Sequence, residues 1–400
     1  MSDDPKSAAA HLGLRPETKL ISAGRREEWL HGLVNVPVSR TSTVLFEDVA
    51  SMIAAYPARD GELSYGRNGT PTQWGLAEAL TDLEPGAAGT RLYASGATAV
   101  AFALISVLGP GDELLMVDSA YQPTRTFCDK VLKRLGIATR YYDPLATAGE
   151  VEAMLSPSTR AIFMESPGSL TFEVQDVPGL CALARSRGIA TLLDNTWATP
   201  LFFPALSHGV DLAILACTKY VSGHADVMLG SVTATEPYWD RVSNTAQLYG
   251  QYVSPDDAYL AARGLRTLGV RLRRHEDSAI KLARWLQDRP QVAAVLHPAL
   301  KDSPGHALWK RDFTGSTGLF SIVLKDADDA AANRFVESLE LFGIGYSWGG
   351  FESLALPVHP DRSRTVSRPA AAGAMVRLHI GLEDPDDLLA DLAQGLQQIG

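Results

Sequence analysis

Short β-rich runs alternate with helical stretches between about residues 70 and 235, and this alternation constrains the fold more than any other feature. Several runs are nearly continuous in Val, Ile, Leu and Ala, as strands buried on both faces are. Apolar residues spaced i, i+3, i+4 fall between them, where a parallel sheet requires connecting helices. The pattern predicts an α/β fold with a mostly parallel seven-stranded sheet between helices. The predicted strands are 91–94, 113–117, 139–142, 161–165, 190–194, 212–216 and 227–232, and the predicted helices are 72–84, 97–108, 122–135 and 177–187.

After Pro255 the pattern changes to that of a smaller α+β domain. The predicted elements there are a long amphipathic helix over 256–287, strands over 318–324 and 375–380, a helix near 329–341 and a final helix from Asp384. Residues 1–60 carry little periodic structure, and an arm of that length packs on its own chain or on a neighbouring subunit. We therefore expect an N-terminal arm over 1–60, a ligand-binding α/β domain over 61–255 and a C-terminal α+β domain over 256–400.

Charge, hydropathy and cysteine content limit the ligands and the cellular compartment that we expect for this protein. With 36 basic and 46 acidic side chains the net charge is −10, which argues against a broad surface for nucleic acid or anionic lipid. The basic stretch 263–274 has apolar residues at helical spacing and is predicted as the solvated face of a helix. The longest mostly apolar stretch, 97–108, is too short to span a bilayer. Cys128, Cys181 and Cys217 form no CxxC pair, so we expect a cytoplasmic protein without a disulfide framework or metal site.

Reactive side chains follow several predicted strands. Ligands of open parallel sheets bind beyond the carboxyl ends of the strands. Gly96 and Ala97 lie in a small-residue turn that opens a helix, where backbone N–H groups hold anions such as phosphate. Asp194 ends the strand 190–194 and Lys219 follows the strand 212–216, so both are predicted to project into one cleft. A lysine desolvated in such a place has a depressed pKa and can form a Schiff base.

Each of these signals has a structural alternative when it is taken singly. Gly96 and Ala97 could simply begin a helix, Asp194 could cap one, and Lys219 could be a surface lysine. Lys219, however, follows an apolar strand and precedes Tyr220, where a merely solvated lysine is not expected. An anion-binding turn, a carboxylate and a buried lysine are together the parts that hold pyridoxal phosphate.

The order and context of these residues resemble the Cys/Met-metabolism family of pyridoxal-phosphate-dependent enzymes, most closely its bacterial cystathionine β-lyases. The resemblance covers nearly the whole chain from about residue 17. It is carried by the stretches 61–67 (GELSYGR), 120–123 (AYQP), 165–169 (ESPGS), 194–197 (DNTW), 218–226 (TKYVSGHAD), 263–269 (RGLRTLG), 346–353 (YSWGGFES) and 376–383 (VRLHIGLE). The stretch 68–72 (NGTPT) resembles the wider family as much as the lyase branch.

The resemblance implies the fold type I architecture of pyridoxal-phosphate-dependent transferases. By similarity, Lys219 would bind the aldehyde of the cofactor covalently, Asp194 would pair with its pyridine nitrogen, and Tyr121 would stack on its ring. The phosphate would be held by the backbone of Gly96 and Ala97, by the hydroxyl of Thr218, and by Tyr65 and Arg67 of a neighbouring subunit. Because that site is incomplete in a monomer, the expected state is a homotetramer built from active dimers.

The same resemblance implies how a small amino-acid substrate is bound and cleaved. Arg377 would bind the substrate α-carboxylate, with Ser347 and Trp348 helping to position it; an ion pair of Arg377 with Glu383 or Glu352 is the structural alternative. Lys219 would remove the Cα proton, and Lys219 or Tyr121 would protonate the leaving thiolate. The implied reaction is β-elimination of L-cystathionine to homocysteine, pyruvate and ammonia, as in methionine biosynthesis.

Two other activities stay open at this point. A γ-lyase or γ-synthase of the same family would use the same lysine, aspartate and phosphate site, although the γ-enzymes more often carry leucine where this chain has Trp348. A serine hydrolase is the alternative from another class, because 345–349 (GYSWG) fits the G-x-S-x-G motif and Asp361 and His379 follow in the permitted order. The stretch after Ser347 is strand-like, however, and that motif requires a helix there.

Overall fold

The computed structural model describes residues 13–56, 61–368 and 373–399. Its larger sheet has seven strands in the order β1-β7-β6-β5-β4-β2-β3, with β7 antiparallel to both neighbours and the other pairs parallel. The strands are β1 Ala87–Tyr93, β2 Glu113–Val117, β3 Ala138–Tyr142, β4 Thr159–Glu165, β5 Ala190–Asp194, β6 Leu212–Leu215 and β7 Gly230–Thr235. The predicted α/β fold with a mostly parallel seven-stranded sheet is thus confirmed.

A second sheet of five strands follows in the order β10-β11-β12-β9-β8. Its strands are β8 Val292–Leu296, β9 Leu319–Leu324, β10 Gly343–Ile344, β11 Leu354–Val358 and β12 Met375–His379. The α-helices of the described chain are Pro16–Ser22, Glu27–Leu30, Val49–Ala54, Pro71–Asp82, Gly96–Val107, Gln122–Phe127, Ala148–Met154, Val177–Ser186, Thr199–Phe202, Glu236–Leu248, Pro255–Leu265, Leu268–Gln287, His306–Asp312, Asp329–Glu337 and Pro385–Leu396. None of them is both long enough and apolar enough to cross a membrane.

The helix predicted over 256–287 is in fact two helices, Pro255–Leu265 and Leu268–Gln287. The first ends where Arg271 donates to the carbonyl oxygen of Gly264 at 2.8 Å and the Thr267 hydroxyl donates to the same oxygen at 3.1 Å. These side-chain donors compete with the helical pattern. The apolar period continues through both helices, so periodicity alone could not locate the break.

The basic stretch 263–274 is not wholly a solvated face, which corrects the prediction. Arg271 is only 6% exposed. Arg266 is half-buried and donates to the carbonyl oxygens of Leu20 and Ala23 at 2.7 and 2.9 Å. Both arginines turn inward because carbonyl groups at helix ends there need donors.

Two further elements differ from the sequence-based prediction. The strand expected over 227–232 begins at Gly230, because Leu229 is held by the loop that carries the lysine: the Leu229 N–H donates to the Thr218 hydroxyl at 3.0 Å. The helix expected over 122–135 is α-helical over Gln122–Phe127 and again over 133–134, with a π-turn over Cys128–Leu132 between them.

The N-terminal arm packs partly on its own chain, and Leu20 and Ala23 lie in the main core. Residues 1–12 and 57–60 of the predicted arm lie outside the described residues. Large apolar side chains of the remainder stay exposed, Leu45 to 90% and Tyr56 to 83%. Contact of this arm with a neighbouring subunit stays a prediction.

A buried polar cluster fastens the segment before β12 to the large sheet. Asp118, at the end of β2, pairs with Arg125 at 2.9 Å, and both side chains are almost inaccessible. The Asp118 carboxylate also accepts from the backbone N–H groups of Thr365, Val366 and Ser367 at 3.0, 3.0 and 2.9 Å. This cluster fixes the path of the chain toward β12, the strand that carries Arg377.

Candidate active site

The predicted site residues other than Tyr65 and Arg67 lie around the carboxyl ends of the central strands of the large sheet. Asp194 is the last residue of β5, where it pairs in register with Glu165 of β4 and Ile214 of β6. Lys219 follows β6 by four residues. Because parallel strands share the direction of their carboxyl ends, these residues face one cleft, as the sequence predicted.

Lys219 lies against a segment of the second sheet. Its Nζ donates to the Ser347 hydroxyl at 2.5 Å and lies 5.4 Å from the centroid of the Trp348 ring. Burial chiefly, and then the positive charge of Arg377, lower the pKa of Lys219 from its ordinary 10.5 to about 8, whereas Asp194 acts in the opposite direction. A sizeable fraction of this amine is therefore uncharged near neutral pH, as attack on an aldehyde requires.

Asp194 is oriented by its neighbour Thr196. The Thr196 backbone N–H and hydroxyl both donate to Oδ1, at 3.1 and 2.5 Å, so Oδ2 is the oxygen that can accept from a ring nitrogen. Burial raises the pKa of Asp194 above its ordinary range, against the effect of the Thr196 hydrogen bonds and of Lys219. A buried carboxylate of this kind is stabilised by a cationic partner such as a pyridinium.

The helix Gly96–Val107 presents its N-terminus beside the lysine loop. Ser95 caps it by accepting from the Thr98 N–H at 3.1 Å, while the N–H groups of Gly96 and Ala97 have no acceptor within the helix. A Cβ at Gly96 would lie 2.5 Å from the Cβ of Ala216, so only glycine lets the helix approach the end of β6 this closely. The two N–H groups are therefore available to an anion such as phosphate.

The Thr218 hydroxyl is engaged with the backbone of its own loop. It donates to the Leu229 carbonyl oxygen at 3.2 Å and accepts from the Leu229 N–H at 3.0 Å. Its predicted role as a phosphate ligand stays a prediction, since a phosphate oxygen would compete with the Leu229 carbonyl for the same proton.

Tyr121 is held through its backbone. Its N–H donates to Oε2 of Glu165 at 2.7 Å, and its side chain is 49% exposed. Burial raises the pKa of the Tyr121 hydroxyl, as does the carboxyl of Glu165. Sequence reasoning assigned no role to Glu165 or Thr196; the signal that could have found Glu165 is a carboxyl at the end of an apolar strand, as at Asp194.

Arg377 projects from β12 toward the same cleft. Its Nη2 donates to the carbonyl oxygen of Ser347 at 2.9 Å. Burial lowers the pKa of Arg377 to about 10, so it stays cationic at neutral pH. The alternative ion pair is wrong: the Glu383 carboxylate accepts from the Ser353 N–H and hydroxyl instead, and no salt bridge of Arg377 occurs within the described ranges.

The serine-hydrolase alternative is also wrong. The Ser347 hydroxyl contacts Lys219, whereas Nε2 of His379 lies against Gly349 and Gly350. Asp361 lies in an exposed 3-10 turn. The chain after Ser347 runs irregularly into β11 without the helix that a nucleophile elbow needs.

Tyr65 and Arg67 lie outside this cluster. Tyr65 is 48% exposed, and Arg67 in the 3-10 turn Gly66–Asn68 donates to the Gln247 carbonyl oxygen at 3.2 Å. Among the described residues no hydrogen bond joins either of them to Lys219 or Asp194. Their predicted action across a subunit interface stays a prediction.

The rate at which the apoprotein binds pyridoxal phosphate is expected to rise with pH through about 8, because only the uncharged form of a lysine such as Lys219 can attack an aldehyde. Arg377→Gln is expected to move this midpoint up, since the charge of Arg377 lowers the pKa of Lys219, and Asp194→Asn is expected to move it down. Stopped-flow absorbance at a series of pH values measures the midpoint. A midpoint near the ordinary lysine value of 10.5 would contradict the buried environment.

Comparison with known proteins agrees with this geometry. A family model described as Cys/Met metabolism PLP-dependent enzyme matches residues 17–397. A putative cystathionine β-lyase of Rhizobium johnstonii is 47% identical over 98% of each chain, and the cystathionine β-lyase MetC of Escherichia coli is 45% identical over 96% of this chain and 98% of its own. A cystathionine γ-synthase of Mycobacterium bovis is 34% identical over 99% of this chain and all of its own.

A solved structure shares the whole fold. The crystal structure of MetB from Corynebacterium glutamicum superposes with a TM-score of 0.89 at 31% identity and covers 98% of this chain and 100% of its own. The family match fixes the cofactor as pyridoxal 5′-phosphate, and the buried lysine, the oriented aspartate and the helix N-terminus fit it. The chain belongs to the Cys/Met-metabolism family of pyridoxal-phosphate-dependent enzymes.

Proposed function

We propose that this chain is a carbon–sulfur lyase that cleaves L-cystathionine by β-elimination into homocysteine, pyruvate and ammonia. The observation that carries the proposal is that Ser347 contacts both the lysine and the arginine: its hydroxyl accepts from Lys219 and its carbonyl oxygen accepts from Arg377. A base for the Cα proton and a cation for the α-carboxylate thus lie on either side of one residue. The relatives with 45–47% identity that are named cystathionine β-lyase support the same reaction.

Substrate binding begins at Arg377. A guanidinium that stays cationic while buried binds a carboxylate strongly, by up to two parallel hydrogen bonds. The neighbouring residues Ser347 and Trp348 line the space in which this carboxylate lies. The Cα of the substrate is thereby held within reach of Lys219.

Proton transfer is the task of Lys219. When bound, pyridoxal phosphate withdraws electrons from Cα and so acidifies its proton. Lys219, with a pKa near the working pH, accepts that proton at Nζ. The electron pair of the Cα–H bond forms a Cα–Cβ double bond while the Cβ–S bond breaks, and Lys219 or the Tyr121 hydroxyl protonates the departing sulfur. Water then converts the aminoacrylate product to pyruvate and ammonia.

The alternative is γ-elimination or γ-replacement, for which the same lysine and arginine suffice. A purified holoenzyme incubated with L-cystathionine decides between them when both the thiol and the keto acid are identified. Homocysteine with pyruvate is expected. Cysteine with 2-oxobutyrate would keep the cofactor and Lys219 but replace the proposed reaction by that of a γ-lyase.

We propose further that the active form is a homotetramer of active dimers, in which Tyr65 and Arg67 bind the phosphate of the neighbouring subunit. The exposure of Tyr65 and the exposed apolar side chains of the arm support this arrangement.

The homocysteine that the proposed reaction releases would be used in methionine biosynthesis. The buried, unpaired state of Cys128, Cys181 and Cys217 supports a reducing compartment such as the cytoplasm.

Mixing two weakly active variants is expected to restore activity. In the proposed dimer each site combines Lys219 of one subunit with Arg67 of the other. A mixed dimer of Arg67→Ala and Lys219→Ala therefore has one site with both residues and one site with neither. After subunit exchange we expect about a quarter of the wild-type rate, because half of randomly paired dimers are mixed. Assay of each variant alone and of the mixture measures this. Full activity of Arg67→Ala by itself would contradict a shared site.

A further inference from the structure

We propose that His379 is a positioning residue that holds the segment 347–350 between Lys219 and Arg377. This segment, Ser347-Trp348-Gly349-Gly350, is called the bridging segment below. It supplies the Ser347 hydroxyl that meets Lys219 and the carbonyl oxygen that meets Arg377. The inference rests on the proposed function, since it concerns the same site.

The two side chains that hold the bridging segment come from one face of one strand. Arg377 and His379 are two residues apart on β12, so they point to the same face of the sheet. Arg377 binds the Ser347 carbonyl oxygen at 2.9 Å, and Nε2 of His379 lies 3.1 Å from both the Gly349 nitrogen and the Gly350 carbonyl oxygen. Side chains of β12 therefore form hydrogen bonds to both ends of the bridging segment.

His379 is bound to the segment in either neutral tautomer. Its side chain is fully buried, and Nδ1 has no hydrogen-bond partner within the described chain. With the proton on Nδ1, Nε2 accepts from the Gly349 N–H; with the proton on Nε2, it donates to the Gly350 carbonyl oxygen. Either way the polar contacts of this ring all go to the bridging segment.

The bridging segment needs such support because its backbone is strained and tightly packed. Ser347 has φ +83°, a left-handed conformation that non-glycine residues rarely adopt. Gly349 has φ +87°, and a Cβ there would lie 2.9 Å from the backbone carbon of Lys219. The segment thus rests directly on the backbone of the catalytic lysine, and any relaxation of it would move the Ser347 hydroxyl and the Trp348 ring.

His275 supplies a matched control beside His379. Its ring lies 5.3 Å from that of His379 and is equally buried. Its Nδ1 bonds to the Ile380 carbonyl oxygen at 2.7 Å, and none of its hydrogen bonds among the described residues reaches the bridging segment. A substitution of His275 disturbs the same core without releasing Gly349 or Gly350.

The test compares two amides at residue 379. The glutamine side chain places its amide near the position of Nε2, whereas the asparagine side chain places it near Nδ1, where no partner lies. Glycine serves as the ligand, since it carries the amino and α-carboxylate groups but no β-carbon leaving group, and its dissociation constant is read from the absorbance of the holoenzyme. We expect binding about tenfold weaker in His379→Asn and within about twofold of wild type in His379→Gln.

The control and the contrary outcomes separate positioning from mere stability. His275→Gln is expected to lower the melting temperature while leaving the glycine dissociation constant within about twofold. Equal weakening by both variants at residue 379, or equal weakening by His275→Gln, would overturn the inference while leaving the proposed function intact. A wild-type holoenzyme that releases no pyruvate from L-cystathionine would overturn the proposed function, on which the inference rests.

Hydrogen exchange in the wild-type holoenzyme tests the same inference without a variant. The Gly349 amide is expected to exchange slowly, because Gly349 is buried and, in either tautomer of His379, the bridging segment must open before water reaches this N–H. The amide of Tyr346, a residue that is 89% exposed, provides the fast reference in the same region of the chain. Exchange of Gly349 at the rate of Tyr346 would overturn the inference.

Discussion

Lys219→Ala is expected to lower the rate of β-elimination by about 10⁴-fold, because it removes the proposed base for the Cα proton. No other amine is in contact with Ser347 in the described structure, so alanine leaves the cleft without a substitute. The variant should still fold, since truncating a partly charged side chain at a cleft removes no core packing. Pyruvate release from L-cystathionine, measured with excess pyridoxal phosphate, gives the rate.

Lys325→Ala is the matched control for this loss. Lys325 is an exposed lysine at the end of β9, and its removal is expected to leave the rate unchanged. Circular dichroism of both variants checks that the fold is kept. Near-normal turnover by Lys219→Ala would refute the assignment of the lysine and with it the proposed mechanism.

Asp118→Ala is expected to lower the free energy of unfolding by about 3–5 kcal/mol, because it leaves the buried Arg125 without its ion-pair partner. The same substitution removes the carboxylate that accepts hydrogen bonds from the backbone N–H groups of Thr365, Val366 and Ser367. Chemical denaturation of the holoenzyme measures the loss. Glu152→Ala, which breaks the exposed pair with Arg187, is the control and is expected to cost less than about 1 kcal/mol.

The pH dependence of this contribution follows from the carboxylate. Burial by itself raises the pKa of Asp118, but the donors from Thr365, Ser367 and Val366 outweigh it and hold the pKa at about 2, below the ordinary 3.8. A carboxyl with a depressed folded pKa stabilises the fold fully above its unfolded pKa. The stability difference between wild type and Asp118→Ala is therefore expected to shrink as the pH falls from about 4 to about 2. A difference independent of pH in that range would contradict the role given to the carboxylate.

The large sheet and its reactive edge could be predicted from the amino-acid sequence alone. The strands Glu113–Val117 and Ala190–Asp194 lie where the apolar runs predicted them. A strand that is buried on both faces consists of consecutive apolar residues, so it is visible in the sequence. The positions of Asp194 and Lys219 in one cleft followed from a rule about strand ends that holds for any open parallel sheet. Family resemblance added the cofactor, which no periodicity could supply.

Which distant residues contact one another became known from the folded chain. The Ser347 hydroxyl lies on Lys219 although 128 residues separate them, and Thr365 reaches Asp118 across 247 residues. The inward turn of Arg271 and the bond from Gly349 to His379 likewise depend on where the backbone brings carbonyl and amide groups. The local pattern of apolar residues indicates which face of a helix or strand is buried. The position of a buried polar side chain depends instead on its hydrogen-bond partners, which lie far along the chain.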